Sequence, residues 1–224
     1  MKATAIIPVK RFRAAKQRLV ELVGPQGRAA LVKAMLADVL EQVTASGLVE
    51  RIIVVTGEGR AEKVALHRAQ RAKTPIEVFQ DPHDAGHSEA ATLGIIRAIA
   101  LKAHAVALLP GDCPLLDASE LDAALTRLAP ETVAVVPDRH GTGTNALLMC
   151  PPDAIGPAFG PGSCERHVER AHRRELDAVV DPIPSLGLDL DTPEDLVALR
   201  EALSEHPERA PQTAAALAHI PADP

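Results

Sequence analysis

Hydrophobic and polar positions along the 224-residue chain follow two alternating rhythms. Short β-branched or aliphatic runs recur at residues 4–9, 51–56, 76–79, 105–109, 132–136, 146–149 and 178–181, as expected of strands buried on both faces. Between most of them lie helical patterns. Over 26–46 the residues Val32, Leu36, Val39, Leu40 and Val43 fall at helical spacing, and Gly47 follows where a C-cap glycine belongs. Weaker helical stretches cover about 60–70, 84–102, 119–128, 163–175 and 193–203. The last is the best marked: Thr192 can cap it, Pro193 suits the first turn, Glu194 and Asp195 favour the dipole, and Leu196, Leu199 and Leu203 line one face.

Strands alternating with helices predict an α/β fold with a mostly parallel central sheet flanked by helices, and ligands outside the carboxyl ends of the strands. The stretch 137–175 breaks the alternation and predicts a β-ribbon with an excursion over that edge. No Ser/Gly-rich linker or charge block interrupts the first 200 residues, so 1–204 reads as one domain. Past it the period is lost, and the Pro- and Ala-rich residues 205–224 are expected to form a loosely held tail.

Composition narrows the function classes. Twenty-four Lys and Arg against thirty Asp and Glu give a formal charge of −6, which offers little pull toward nucleic acid or an anionic membrane. Three Phe with no Trp or Tyr leave almost no stacking platform for single-stranded bases. Cys113, Cys150 and Cys164 form neither a disulfide framework nor a Cys-x-x-Cys zinc pattern, so a reducing cytoplasm is expected. The N-terminal apolar run is too short for a signal peptide, and no later run approaches a membrane span.

Chemistry-bearing residues collect in four places. After the first strand, Lys10, Arg11, Arg13, Lys16 and Arg18 fall within nine residues, which suits a triphosphate or an ordinary solvated basic loop. The stretch HAVALLPGDCPLL delivers Asp112 behind a Pro-Gly turn at a strand's carboxyl end, where a hard cation would accept it. Asp117 reads instead as a helix cap, with Glu120 placed for a capping box. In GLDLDTPEDL, Asp189 and Asp191 project from one face of extended backbone, and paired anions repel unless a cation lies between them; the alternative is that Asp191 only caps the last helix. Between these, Gly141 and Gly143 allow close approach with Thr144 and Asn145 as neutral partners, and Gly160, Gly162 and Ser163 open a helix whose N–H groups suit an anion; a tight hairpin and a plain N-cap are the structural alternatives. No dinucleotide fingerprint, P-loop or His-Glu-x-x-His is present, and Cys113 reads as a packed thiol.

In this order and at these separations, PVKRFRAAKQRL, LLPGDCPLL, DRHGTGTNALL, FGPGSCERH and LDLDTPEDL resemble the CofC/FbiD guanylyltransferases of coenzyme F-420 biosynthesis, over about residues 1–204. The resemblance implies a single Rossmann-like, GT-A type nucleotidyltransferase domain that transfers GMP from GTP to a three-carbon phosphoacid, phosphoenolpyruvate or 2-phospho-L-lactate, and releases pyrophosphate. It implies magnesium on Asp112, Asp189 and Asp191, the phosphoacid on Thr144, Gly160 and Ser163, and Lys10 and Lys16 facing the triphosphate as catalytic residues beside Asp112. Arg11 and Gly86 would complete the nucleotide site. Where relatives often read Gly-Leu-Asn-x-Ala, this chain has Gly86-His87-Ser88-Glu89-Ala90 near the expected base and ribose. A monomer or homodimer is expected. A metal-dependent glycosyltransferase using Asp189-Leu190-Asp191 is the rival enzyme, and a nucleotide-binding module without turnover is the non-enzymatic rival.

Overall fold

Residues 1–10, 19, 23–84 and 86–221 are described in the computed structural model. In chain order the elements are β1 (Ala3–Val9), α1 (Pro25–Ala45), β2 (Val49–Thr56), α2 (Gly59–Ala69), β3 (Ile76–Gln80), α3 (His87–Ala100) and β4 (Val106–Leu108). Then follow α4 (Ala118–Arg127), β5 (Thr132–Pro137), β6 (Thr144–Cys150), α5 (Ser163–His172), β7 (Asp177–Val180), α6 (Pro193–Glu205) and α7 (Pro211–Leu217). The strands form one seven-stranded sheet in the order β3-β2-β1-β4-β6-β5-β7. Only β6 runs against its neighbours; the other pairings, β1 with β2 and β4, β2 with β3, and β5 with β7, are parallel.

Both faces of the sheet are covered, which is why the central strands read as near-continuous apolar runs. On β1, Ala3, Ala5, Ile7 and Val9 turn toward the core beneath α1, α2, α4, α6 and α7, while Ile6 joins the opposite core beneath α3 and α5. Close seating of α3 requires Gly94, because a Cβ there would lie 2.2 Å from Ile6 Cγ2. That seating holds the N-terminus of α3 over the carboxyl edge of the sheet. Antiparallel β6 pairs Leu147 with Leu108 and Thr144 with Pro137, so its first residues lie at the edge where β1 and β4 finish. The β-ribbon expected over the edge at 137–175 is thus not a separate ribbon: β6 is a strand of the sheet itself, between β4 and β5. No helix among the described residues is long and apolar enough to cross a membrane.

Two expectations need correction. The tail is not loose over the described residues up to 221: α7 packs on α1, with Ala210, Thr213, Leu217 and Ile220 buried. Its anchor is polar. Asp38 of α1 accepts the Thr213 N–H at 2.7 Å, the Thr213 hydroxyl at 2.6 Å and the Gln212 N–H at 3.1 Å. Burial pushes the Asp38 carboxyl up from its ordinary value, with the Thr213 bonds pulling the other way. The buried positions 210, 213, 217 and 220 fall at helical spacing, but in a seven-residue helix with Leu217 as its one large apolar side chain that stripe is too short to stand out in the sequence. Nor is Gly47 a left-handed cap: α1 stops at Ser46 (φ −59°, ψ 133°), and the Gly47 N–H donates to Asp122 Oδ2 at 2.9 Å.

Candidate active site

The carboxyl edge of the sheet opens into a cleft of about 590 Å³. From β1 and the residue that follows it come Pro8, Val9 and Lys10; from the turn after β4, Pro110, Gly111 and Asp112; from the start of β6, Thr144 and Asn145. The N-terminus of α3 adds His87, Ser88 and Glu89, the loop before α5 adds Phe159 and Gly160, and the segment before α6 adds Asp189 and Asp191. Lys10, Asp112, Thr144, Asn145, Gly160, Asp189 and Asp191, all singled out in the sequence, therefore line one cavity. Arg11 and Lys16, with the rest of the basic run, lie outside the described residues. Gly86 does not line the cleft but carries the backbone into α3 at φ 144°, one residue before His87.

The segment bearing the two aspartates is held by side chains read above in other roles or not at all. Leu190 is buried between them, as expected of extended backbone. Asn145 donates to the Leu186 carbonyl at 2.7 Å and reaches Asp189 Oδ1 at 3.4 Å. Asp195 Oδ2 accepts the backbone N–H of Asp191 at 3.0 Å, the N–H of Thr192 at 2.7 Å and the Thr192 hydroxyl at 2.8 Å. Its other oxygen is 2.7 Å from Arg139 Nη2. Thr192, not Asp191, caps α6, in a capping box with Asp195. At α4, Asp117 does cap, accepting from Ser119 and Glu120, and its carboxyl sits below its ordinary value chiefly through the Ser119 side chain. Glu120 closes no reciprocal box there; it accepts the Ser185 N–H at 2.9 Å and fixes the chain that leads to Asp189. Cys113 is fully buried, as a packed thiol should be.

On the other side of the cleft, α5 begins at Gly162, whose φ of 67° is open to glycine at no steric cost. The expected free N–H groups are partly committed: Ser163 N–H donates to Gly160 O and Cys164 N–H to Thr142 O. Ser163 is fully buried and does not line the cleft; its hydroxyl donates to Thr144 Oγ1 at 3.0 Å from behind. The loop over 156–161 is pinned by Arg166, which donates to Ala158 O and Pro161 O, and by Ser88 Oγ, which accepts the Phe159 N–H at 3.0 Å. The Phe159 ring meets His87 and His167 edge-on at 4.7 Å and 5.4 Å between centroids. His167 is wholly buried, and burial followed by the charges of Arg170 and Arg166 pulls its pKa down to about 4. Nine histidines without a metal spacing gave no reason to single it out.

Asp112, Asp189 and Asp191 supply hard oxygen donors to one cleft, yet no three His, Cys, Asp or Glu side chains among the described residues stand close enough to cage an ion alone. That donor set fits magnesium, which is bound through a few carboxylates and substrate phosphates and not by an all-protein cage.

A nucleotidyl transferase from Methanothermobacter thermautotroptrophicus superposes with a TM-score of 0.65 at 15% identity, covering 91% of this chain and 98% of that one. A phosphoenolpyruvate guanylyltransferase from Conexibacter woesei is 43% identical over 91% of this chain and 90% of its own length. A 3-phospho-D-glycerate guanylyltransferase from Phenylobacterium zucineum is 36% identical over 87% of this chain and 88% of its own. Residues 3–202 match the model of the family described as guanylyl transferase, CofC like. With a nucleotidyltransferase fold and a match that runs through every strand and cleft-lining segment described above, the chain belongs to the CofC-like guanylyltransferases and is a nucleotidyltransferase enzyme.

Proposed function

We propose that the protein transfers GMP from GTP to a three-carbon phosphoacid, phosphoenolpyruvate, 2-phospho-L-lactate or 3-phosphoglycerate, with release of pyrophosphate, as a step of coenzyme F-420 biosynthesis. The observation that carries this reading is the single cleft shared by Lys10, Asp112, Asp189 and Asp191 on one side and Thr144 and Gly160 on the other. Guanylyltransferase relatives named for phosphoenolpyruvate and for 3-phospho-D-glycerate support a phosphoacid acceptor.

The acceptor's phosphate has a second pKa near 6, so at neutral pH it is already an anionic nucleophile and no general base is required. Its oxygen attacks the α-phosphorus of GTP while the bond to the β-phosphate breaks, and the leaving pyrophosphate carries the electron pair away. The obstacle is repulsion between two anions. Lys10 at the end of β1 offsets that charge and, with Lys16 and Arg11 from the same basic run, orients the triphosphate for in-line displacement. Magnesium held by Asp112, Asp189 and Asp191 with substrate phosphate oxygens would supply further neutralisation of the reacting phosphates. Thr144 and Gly160 bind the acceptor, with Ser163 supporting Thr144 from beneath. The His87-Ser88-Glu89 turn after Gly86 lies beside the nucleotide.

The test is pyrophosphate release with GTP, ATP, CTP or UTP crossed with the three acceptors. Release that requires GTP, a phosphoacid and magnesium is expected, with Asp112→Asn and Asp191→Asn folded but without measurable transfer. Transfer from a sugar nucleotide, nucleotide binding with no turnover on any acceptor, or normal rates in the aspartate variants would overturn it.

A further inference from the structure

His167 stands behind the cleft, fully buried on α5 with both ring nitrogens bonded. Nε2 accepts the Ala158 backbone N–H at 2.8 Å. A backbone amide only donates, so the proton of the neutral ring sits on Nδ1. Nδ1 lies 3.0 Å from Thr144 Oγ1 and must donate to it. Burial beside Arg170 and Arg166 keeps the ring neutral at pH 7, so this tautomer does not change there. Ser163 Oγ gives Thr144 Oγ1 a second bond at 3.0 Å. A hydroxyl accepts two hydrogen bonds and donates one. With both acceptor places filled from behind, Thr144 has its proton left for the cleft that it lines.

We propose that His167 is a positioning residue for the acceptor substrate: together with Ser163 it makes the Thr144 hydroxyl a one-way donor, which takes an anionic oxygen of the phosphoacid and discriminates against a hydroxyl or amide donor in the same place. The same ring holds Ala158, two residues before Gly160, so one side chain sets both acceptor-binding groups. The proposal rests on the phosphoacid reading of the cleft.

Its test is a double-mutant cycle on the KM for phosphoenolpyruvate, with GTP saturating. Thr144→Val removes the hydroxyl. His167→Gln keeps an amide near the Ala158 N–H and removes the Nδ1 donor. Each is expected to raise that KM about tenfold, as for loss of one hydrogen bond to an anion. The double variant is expected to be no worse than Thr144→Val alone, with the KM for GTP within about twofold of wild type throughout. Effects that multiply, or a GTP KM that moves equally, would mean a general structural role and overturn the proposal. Nitrogen-15 spectra of the wild-type imidazole give a readout independent of any variant's folding: the Nδ1–H tautomer is expected at pH 7, and the Nε2–H tautomer refutes the network. If wild type transfers to no phosphoacid, the functional reading fails and this proposal with it; if wild type transfers and the cycle is additive, this proposal alone fails.

Discussion

Replacing Asp195 by alanine should loosen the segment that carries Asp189 and Asp191. The Asp195 side chain is 8% exposed, and one of its oxygens gathers the Asp191 N–H, the Thr192 N–H and the Thr192 hydroxyl. Thr192 still caps α6 in this variant, so what the helix start loses is the reciprocal half of the capping box, the Thr192 N–H bond. The two backbone N–H groups lose a charged acceptor, worth about 1.5 kcal/mol or more if they stay buried and less if the turn opens to water. Arg139 is 33% exposed and can turn to solvent, so its ion pair adds no more than about 1 kcal/mol. These contributions come to roughly 2 kcal/mol, which for a domain of this size corresponds to a fall in Tm of roughly 4–8 °C. Urea and thermal unfolding followed by circular dichroism would measure it. Arg139→Ala should cost about 1 kcal/mol, because the capping box survives it. Should Asp195→Ala melt within about 2 °C of wild type, or Arg139→Ala cost as much as Asp195→Ala, the assignment of the Asp191 turn to this carboxylate is wrong.

Two further outcomes follow from buried titratable groups. His167 has a folded pKa of about 4 against an ordinary 6.5, so between those values the unfolded chain binds more protons and stability rises with pH. The contribution is present above pH 6.5 and lost as pH falls toward 4, on the order of 3 kcal/mol at most; His167→Gln should flatten the stability profile in that window, and an unchanged slope would refute it. Thr213→Val removes the hydroxyl bond to Asp38 and should cost about 2 kcal/mol while speeding proteolytic cleavage beyond residue 205; wild-type proteolysis kinetics would count against the α7 anchor. Because the folded Asp38 pKa is raised above 3.8, its contribution is fullest below that value and declines as pH rises through the folded pKa, opposite to the His167 trend.

How much of this was legible in the sequence depended on the range of the interaction. The strands and helices announce themselves through period, and the ends of β1 and β4 announce themselves through Lys10 and Asp112 directly after an apolar run. Thr192 and Asp117 could be read as caps because a cap acts on N–H groups two or three residues away. Glu120 could not, since its partner is the Ser185 backbone, 65 residues on. Asn145 with Leu186, Arg139 with Asp195, and Asp38 with Thr213 are likewise single polar contacts between segments distant in the chain. They carry no period, and nothing local distinguishes them from surface residues. His167 was hidden for the same reason: its partners, Ala158 and Thr144, are set by where α5 lands on the β6 end of the sheet.

Those ties also explain why the lone antiparallel strand matters. Parallel strands β1 and β4 deliver Lys10 and Asp112 by their carboxyl ends, which accounts for one part of the cleft lining only. Reversing β6 brings an amino-terminal end to the same edge, and Thr144 and Asn145 arrive there as the strand's first two residues. Successive strand residues face opposite ways, so Thr144 can be held from the α5 side by His167 while Asn145 turns toward Leu186 and Asp189 on the other. One strand start thus braces the Thr144 side and the aspartate side at once. A one-residue slip of β6 against β4 would exchange the two, so the register Leu108 with Leu147 is a functional constraint as well as a packing one.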